Sequence, residues 1–307
     1  MNTVFCDSTM SDESRRQSLY DGQLFIYSPR PSSLALCAFA RELAEEAFAP
    51  LDPRHVQDQL PVEQFAGILA ELKPKFIHHP RSKKLMQQLL AEMGADLEKT
   101  HFDVPRLRTS TNVLTTGISY AFHPHRDTWY SAPLNQINWW MPVYEVRSDN
   151  VMAFHPRYWT QPVKNGSRDY NYQEWNRTSR QIASQQIGVD TRKQPRPEEH
   201  MDMDPQIRVV CPVGGILLFS AAQMHSTVPN TSGYTRFSID FRTVHLDDVL
   251  ARRGAPNIDS DSTGTCMGDY LRGTDLQHIP AEIIARYDTP PHHASQSSAA
   301  AHAEVES

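Results

Sequence analysis

The stretch "YAFHPHRDTWYSAPLNQINWWMPVY", Tyr120 to Tyr144, combines histidines, an aspartate and three tryptophans in a segment rich in strand-forming residues. His125 and Asp127 are two positions apart, and in an extended strand such residues point to the same face. Two histidines and one carboxylate form a metal site that leaves coordination positions open. The segment therefore predicts two of those three ligands on one face of a β-strand.

A third ligand is available at His225, in "GGILLFSAAQMHSTVPN", where the histidine follows an apolar run. Eleven positions later, "TRFSIDFR" supplies Arg236 and Ser238, which again share one strand face. The apolar residues Phe237, Ile239 and Phe241 take the opposite face. A planar guanidinium beside a hydroxyl is suited to hold a carboxylate.

The ordered set His125-Arg126-Asp127, His225 and Arg236-Phe237-Ser238 resembles the iron(II)/2-oxoglutarate-dependent oxygenases, and more narrowly their phytanoyl-CoA-hydroxylase-like branch. The resemblance covers residues 105–245, about half of the chain. It implies iron(II) held by His125, Asp127 and His225, with the distal carboxylate of 2-oxoglutarate on Arg236 and Ser238.

The same resemblance implies a dioxygenase that uses O2 and 2-oxoglutarate to oxidise a small-molecule substrate, releasing succinate and CO2. Members of the family that halogenate replace the carboxylate ligand with a small residue. Because Asp127 is present, hydroxylation or a related oxidation is favoured over halogenation.

Two further H-x-D triplets compete with the one at His125. His101-Phe102-Asp103 lies where the predicted helices give way to strands, and His225 still follows it. His245-Leu246-Asp247 has only His278 and the tail histidines after it, and no R-x-S motif follows. We therefore favour the triplet at His125.

Several neighbouring residues keep open roles. His123 competes with His125 as a ligand, although the intervening Pro124 favours a surface or supporting position. Arg242 shares the face of Arg236, and its alternatives are pairing with Asp240, contact with the cosubstrate, or solvent. A last group has both a structural and a substrate-binding interpretation: Trp129, Tyr130, Trp139, Trp140, Tyr144, His155, Arg157, Lys164 and Arg168.

The pattern of apolar residues predicts a mainly β fold with flanking helices, whose core is a double-stranded β-helix (jelly-roll, cupin-like). Helices are expected at 33–49, with Ser33 as cap, at 62–76 and at 81–98. Strands are expected at 106–114, 117–124, 135–146, 150–155, 207–211, 215–221, 223–228 and 234–244.

This pattern divides the chain into four parts. They are a mostly helical N-terminal segment (1–104), the catalytic core (105–250) with an insert (160–206), a helical or loop extension (251–290) and a disordered tail (291–307). The insert is expected to be partly helical over 173–187, and loops of that length often cover or form binding sites.

The composition of the chain limits the kinds of molecule that it is expected to bind. The 307 residues carry a net charge of −6 with a pI near 6.1, which disfavours nucleic acid and anionic membranes. The four cysteines lie far apart without C-x-x-C spacing, so neither a disulfide framework nor a structural zinc site is expected. No apolar run approaches the roughly 18 residues of a spanning helix. We expect a cytoplasmic protein.

Two other functions remain as alternatives. One is a cupin-like metalloprotein whose reaction does not need 2-oxoglutarate, and the R-x-S motif at Arg236 and Ser238 argues against it. The other is a ligand-binding barrel without catalysis, which the presence of a full ligand set disfavours.

Overall fold

The computed structural model describes residues 3–112, 123–179 and 194–288. Its helices are α1 (Asp12–Tyr20), α2 (Pro31–Phe48), α3 (Val62–His78), α4 (Pro80–Glu92), α5 (Tyr172–Thr178), α6 (Leu246–Ala251) and α7 (Ala281–Asp288). Its strands are β1 (Val4–Cys6), β2 (Leu24–Tyr27), β3 (Thr100–Phe102), β4 (Arg106–Ser110), β5 (Ile137–Pro142), β6 (Met152–Phe154), β7 (Ile207–Val209), β8 (Ile216–Ser220), β9 (His225–Thr227), β10 (Arg236–His245) and β11 (Leu271–Arg272).

The strands form a large and a small sheet. The large sheet has the order β1-β2-β8-β5-β10-β3-β11, and β4 pairs with the first half of β10. All of its pairings are antiparallel except β1 with β2. The small sheet has the order β7-β6-β9. The prediction of a β core of the jelly-roll type with flanking helices is confirmed.

The large sheet has two different faces because side chains alternate along each strand. Its outer face packs on α2, α3 and α4 in one apolar cluster that includes Trp139, Met141, Leu218, Phe237 and Ile239. Its inner face meets the small sheet in a second cluster, to which the large sheet contributes Trp140, Leu217 and Phe219, and the small sheet Met152, Phe154 and Val209. The polar residues of β10 lie on this inner face, as the alternation in the sequence predicts.

The predicted helices at 33–49, 62–76 and 81–98 correspond to α2, α3 and α4. The assignment of Ser33 as a cap needs correction, because α2 begins two residues earlier, at Pro31. The Ser33 hydroxyl accepts from the amide of Arg30 and donates to the carbonyl of Gly214. It therefore ties the helix to the turn before β8.

Seven of the eight predicted strands have a counterpart in the structure, and residues 117–122 of the eighth lie outside the described residues. The sequence did not reveal α1 or the strands β1, β2, β3 and β11. The N-terminal segment, predicted to be mostly helical, thus also adds β1 and β2 to the edge of the large sheet. These four strands are only two to four residues long, which is too short for an alternation of apolar and polar residues to be recognised in the sequence.

Within the predicted insert, α5 covers Tyr172–Thr178, and residues 180–187 of the predicted helix lie outside the described residues. The tail at 291–307 lies outside them as well. No helix in the described ranges has the combination of length and apolar composition needed to cross a bilayer.

Asp259, in the C-terminal extension, is bound to the segment that carries the predicted metal ligands. Its carboxylate accepts from Arg126 Nε at 2.9 Å, from Trp129 Nε1 at 2.7 Å and from the amide of Val163 at 2.9 Å. The Arg126 side chain is fully buried, and it also donates to the carbonyl of Ala222. The ion pair of Arg126 with Asp259 therefore fixes the backbone between His125 and Asp127.

Asp259→Ala is expected to lower the free energy of unfolding by about 3–5 kcal/mol, since it leaves the buried Arg126 charge without its counter-ion. Urea unfolding followed by circular dichroism measures the change. Glu42→Ala is the matched control, because Glu42 and its partner Arg81 are 62% and 50% exposed, and such a pair contributes at most about 1 kcal/mol. Equal effects of the two substitutions would contradict the anchoring role of Asp259.

Candidate metal centre

The structure brings His125, Asp127 and His225 together. One ligand atom from each residue lies within 4.8 Å of the others, and the described residues contain no other such group of histidine, cysteine and acidic side chains. Asp127 Oδ1 is 3.5 Å from His125 Nε2 and 3.9 Å from His225 Nε2. The two imidazole rings are 4.3 Å apart between centroids. Three donor atoms thus converge on one point from one side.

The backbone reaches this geometry in a way that the sequence pattern did not predict. His125 forms an isolated antiparallel bridge with His225, in which each amide donates to the carbonyl of the other at 2.9 and 3.0 Å. Asp127 is the first residue of a 3₁₀ turn, Asp127–Tyr130. The prediction of a regular strand is therefore wrong from Asp127 onward, whereas Arg126 between the two residues is extended and the side chains of His125 and Asp127 converge.

Backbone carbonyls orient both imidazoles. His125 Nδ1 is 3.1 Å from the carbonyl oxygen of His123, and His225 Nδ1 is 2.9 Å from that of Gln223. Because a carbonyl only accepts, each Nδ1 carries a proton, which leaves Nε2 as the ring atom available to a metal ion. Burial, with the neighbouring His125, lowers the pKa of His225 to about 3, so this ring stays neutral. Neutral imidazoles are the form that binds metal ions.

Amide side chains hold the other oxygen of Asp127. Oδ2 accepts from Asn138 Nδ2 at 2.8 Å and from Gln136 Nε2 at 3.3 Å. The Tyr270 hydroxyl donates to Gln136 Oε1 at 2.6 Å and fixes the direction of that amide. Burial alone would raise the pKa of Asp127, but the contact with His125 and the charge of Arg242 hold it well below its usual value. The carboxylate is therefore ionised, with Oδ1 turned to the histidines.

Sequence reasoning missed Gln136, Asn138 and Tyr270. Gln136 directly precedes β5 and Asn138 is the second residue of its otherwise apolar sequence "INWWMP", and this placement of buried polar residues was a visible signal. Tyr270 gave no such signal, because it comes from the C-terminal extension and meets Gln136 only in the fold.

A cavity of about 140 Å³ opens beside the three ligands and is also lined by Arg236 and Ser238. Arg236 donates from Nη1 to the carbonyl of Asn150, while its Nε and the Ser238 hydroxyl are buried without a hydrogen-bond partner in the part of the chain that is described. Burial lowers the pKa of Arg236 to about 10, a sign that the guanidinium is poorly solvated. Unsatisfied buried donors of this kind are rare, and a carboxylate in the cavity would satisfy them.

The competing H-x-D triplets are engaged elsewhere. Asp103 accepts from Arg106, and Arg242 Nη1 lies 3.2 Å from it. Asp247 pairs with Lys99 on the surface at 2.8 Å. Neither aspartate belongs to the cluster of candidate ligands.

His123 is also outside the cluster, since its Nε2 lies 3.2 Å from the Tyr130 hydroxyl and from the carbonyl of Pro195. Arg242 joins the carboxylate network, with Asp240 at 3.8 Å and Asp127 Oδ2 at 4.0 Å. It lines the cavity with Arg236 without being left unpaired.

The remaining conspicuous residues divide between core and surface. Trp129 and Tyr144 are buried in apolar clusters, whereas Trp139 and Trp140 also line the 140 Å³ cavity. His155 is not a solvated strand end, because it is 1% exposed and lies 2.9 Å from the Ser226 hydroxyl. Arg157 pairs with Asp202, and Arg168 with Glu198, in exposed ion pairs.

No protein-family model matches the sequence, and no curated protein matches it. Solved structures align with it at low identity. EvdO2 from Micromonospora carbonacea var. aurantiaca, complexed with 2-oxoglutarate, aligns over 78% of this chain and 92% of its own, with 12% identity and a TM-score of 0.46. The epimerase SnoN in complex with Fe3+, α-ketoglutarate and nogalamycin RO aligns over 76% and 85%, with 14% identity and a TM-score of 0.38.

The apo structure of the non-heme monooxygenase ThoJ aligns over 71% of both chains, with 11% identity and a TM-score of 0.37. At such low identities and TM-scores, these likenesses carry no conclusion about the activity of this protein. What can be concluded about the site comes from its own side chains.

Gln136→Leu is expected to weaken the binding of a divalent metal about 10–100-fold, because Asp127 then loses one of the two amides that orient it. Calorimetric titration with Co²⁺ under anaerobic conditions measures the dissociation constant. Tyr270→Phe should show a smaller loss in the same direction.

The control for this prediction is Gln223→Leu. Gln223 is also a buried glutamine, but its side-chain amide donates to the carbonyl of Gly22 rather than to Asp127. If both leucine variants bound Co²⁺ with the same reduced affinity, the effect would come from general destabilisation and Gln136 would have no orienting role.

Proposed function

We propose that this protein is a non-haem iron(II)/2-oxoglutarate-dependent dioxygenase that hydroxylates, or otherwise oxidises, a small molecule with O2, releasing succinate and CO2. The observation that carries the proposal is the shared cavity. It contains both a buried His-Asp-His cluster and an arginine and a serine whose buried donors have no partner among the described residues.

The chemistry of the donor set fits iron(II). Two imidazoles and one carboxylate on one side of a metal ion form the arrangement that leaves open positions for cosubstrate and O2. In this proposal His125, Asp127 and His225 are the ligands. Because Asn138 and Gln136 donate to Asp127 Oδ2, Oδ1 is the oxygen with which Asp127 would hold the metal.

The residues that line the cavity also suit 2-oxoglutarate as the cosubstrate. Arg236 and Ser238 would hold its distal carboxylate, and Trp140 lies against the guanidinium at 5.8 Å from the ring centroid. A cupin-like metalloprotein without 2-oxoglutarate would leave the buried Arg236 without an anionic partner, and so would a binding barrel without catalysis. We therefore favour neither.

When bound, iron and 2-oxoglutarate would supply the oxidising chemistry. The protein itself would hold the metal ligands in position and shield the cluster from water. Gln136, Asn138 and Tyr270 fix the carboxylate ligand, and the carbonyls of His123 and Gln223 fix the imidazoles. The apolar residues Phe219 and Phe154 pack around His225 and exclude water from the cluster.

Finer assignments belong to the same proposal. Hydroxylation is favoured over halogenation because Asp127 occupies the position of the third ligand, and the phytanoyl-CoA-hydroxylase-like branch remains our interpretation of the motif order. The division into an N-terminal segment (1–104), a core (105–250) and an extension (251–290) follows from the same interpretation. A reducing, cytoplasmic environment agrees with four free cysteines.

His225→Ala is expected to abolish tight iron(II) binding and turnover while the protein stays folded, because one of three ligands is lost. The measurement is anaerobic titration with Fe(II) and 2-oxoglutarate, watching for the weak visible absorption band of the chelated complex. Asp127→Gly should lose oxidation even if some iron still binds.

Asp103→Ala controls for the competing triplet and should keep the absorption band. If Asp103→Ala removed the band and Asp127→Gly kept both the band and the original rate of succinate formation, the iron site would have been assigned to the wrong aspartate.

Arg236→Ala is expected to weaken the apparent affinity for 2-oxoglutarate far more than that for the metal. Loss of a buried charge-assisted pair costs on the order of 2–5 kcal/mol, which corresponds to roughly 30-fold to a few thousandfold. Arg236→Lys should recover only part of the affinity, since an ammonium cannot grip both carboxylate oxygens.

Titration of 2-oxoglutarate at fixed iron saturation measures this effect in wild type, Arg236→Ala and Arg242→Ala. Arg242 is already surrounded by Asp103, Asp240 and Asp127, so its removal should have the smaller effect on 2-oxoglutarate. A large defect in Arg242→Ala together with almost none in Arg236→Ala would assign the carboxylate to Arg242.

A further inference from the structure

A second and larger cavity, of about 340 Å³, meets the first at the metal cluster. His125, Asp127, Arg108 and Arg242 line both cavities. Its volume lies at the lower end of small-molecule sites, which span roughly 300–1,000 Å³. Because it reaches the candidate ligands without including Arg236 and Ser238, it provides a separate space beside the proposed cosubstrate position.

One wall of the larger cavity is aromatic. Tyr130 packs edge-on against Tyr170 at 5.4 Å between centroids, and Tyr170 and Tyr172 each lie 6.4 Å from Trp175. The Tyr172 hydroxyl is held by Asp269, so the orientation of that ring is fixed. Trp175 Nε1 is buried and has no hydrogen-bond partner within the described ranges. A preformed set of rings offers flat apolar surface to a planar ligand.

The facing wall carries cations from α3, β4 and β10. Arg106 and Arg242 both contact Asp103, and Arg108 is held by Asp240 at 2.6 Å. Lys73 differs from these arginines, because no acidic side chain among the described residues forms an ion pair or hydrogen bond with it. Its neighbour Lys75, two positions along α3, pairs with Glu46 on the surface.

The charge of Lys73 is poorly compensated. Burial, followed by the repulsion of Arg108, lowers its pKa to about 7, although the charge of Asp240 acts in the opposite direction. An ammonium in this position gains from a negative charge placed in the cavity. Each of the three arginines has an acidic partner, so Lys73 is the one cation of this wall that offers a single free ammonium, which suits the single charge of a carboxylate.

We propose that the 340 Å³ cavity binds the molecule to be oxidised, and that this substrate is a small aromatic carboxylate. Its carboxylate lies on Lys73 and its ring against Tyr170 and Trp175, while the carbon to be oxidised faces Asp127 and His125. This inference rests on the proposed function for the role of the cavity, but the binding chemistry that it predicts does not require the metal.

The test is binding of matched probes to the metal-free protein, measured by calorimetry. The probes are 1-naphthylacetate and its uncharged analogue, 1-naphthylacetamide. Wild type should bind the carboxylate at least about tenfold more tightly than the amide, because a charge-assisted hydrogen bond is replaced by a neutral one. Lys73→Met should weaken the carboxylate about 10–100-fold and leave the amide nearly unchanged.

Three variants separate this role from a general effect on the fold. Lys73→Arg should keep most of the preference for the carboxylate, and Lys75→Met, the matched control on the same helix, should keep all of it. Trp175→Leu should weaken both probes equally, since both carry the same ring. Failure of wild type to bind the carboxylate, or an equal affinity for both probes, overturns the proposal.

A separate readout keeps this inference distinct from the proposed function. The Fe(II) and 2-oxoglutarate absorption band should be unchanged in Lys73→Met, because Lys73 does not line the smaller cavity. Absence of the band in wild type would sink the proposed function while the carboxylate preference of the metal-free protein persisted. A normal band without any carboxylate preference would sink only the substrate assignment.

Discussion

The burial of one ionised carboxylate, Asp127, is the constraint on which the rest of the site depends. A carboxylate placed among packed side chains is costly unless every lone pair finds a donor or a positive charge. Here Oδ2 takes two amide donors, and Oδ1 is left for the space between two imidazoles. The protein thus leaves unsatisfied only the oxygen that a metal ion can use.

The inner face of the large sheet also compensates its buried charges with nearby groups of opposite charge. Along β10 the inward residues alternate in charge, with Arg236, Asp240 and Arg242 on one strand and Arg106 and Arg108 on β4 beside them. Each acidic group serves more than one guanidinium, so the network is compact and mostly self-compensating. The groups that it leaves unpaired, Arg236 at one cavity and Lys73 at the other, are therefore informative, because burial penalises an isolated charge.

Much of the architecture could be predicted because β10 alternates between an apolar side that faces the helices and a polar side that faces the cavity. Phe237 and Ile239 against Arg236 and Ser238 show this in four consecutive residues. What could not be predicted came from distant contacts and broken periodicity. The bridge between His125 and His225 and the contact of Tyr270 with Gln136 join segments that are far apart in the sequence. The turn at Asp127 interrupts the alternation that predicts a strand.

The link between Arg126 and Asp259 has a consequence for the order in which this protein is made. The two residues are 133 positions apart, so the arginine between two candidate ligands acquires its counter-ion only when the C-terminal extension has left the ribosome. Contacts of such high sequence separation form late, since the loop must close before they contribute stability. A nascent chain that ends after β10 already contains every candidate ligand, yet it lacks the group that fixes two of them in place. The candidate ligands are therefore fixed in place only after the C-terminal extension has folded against them.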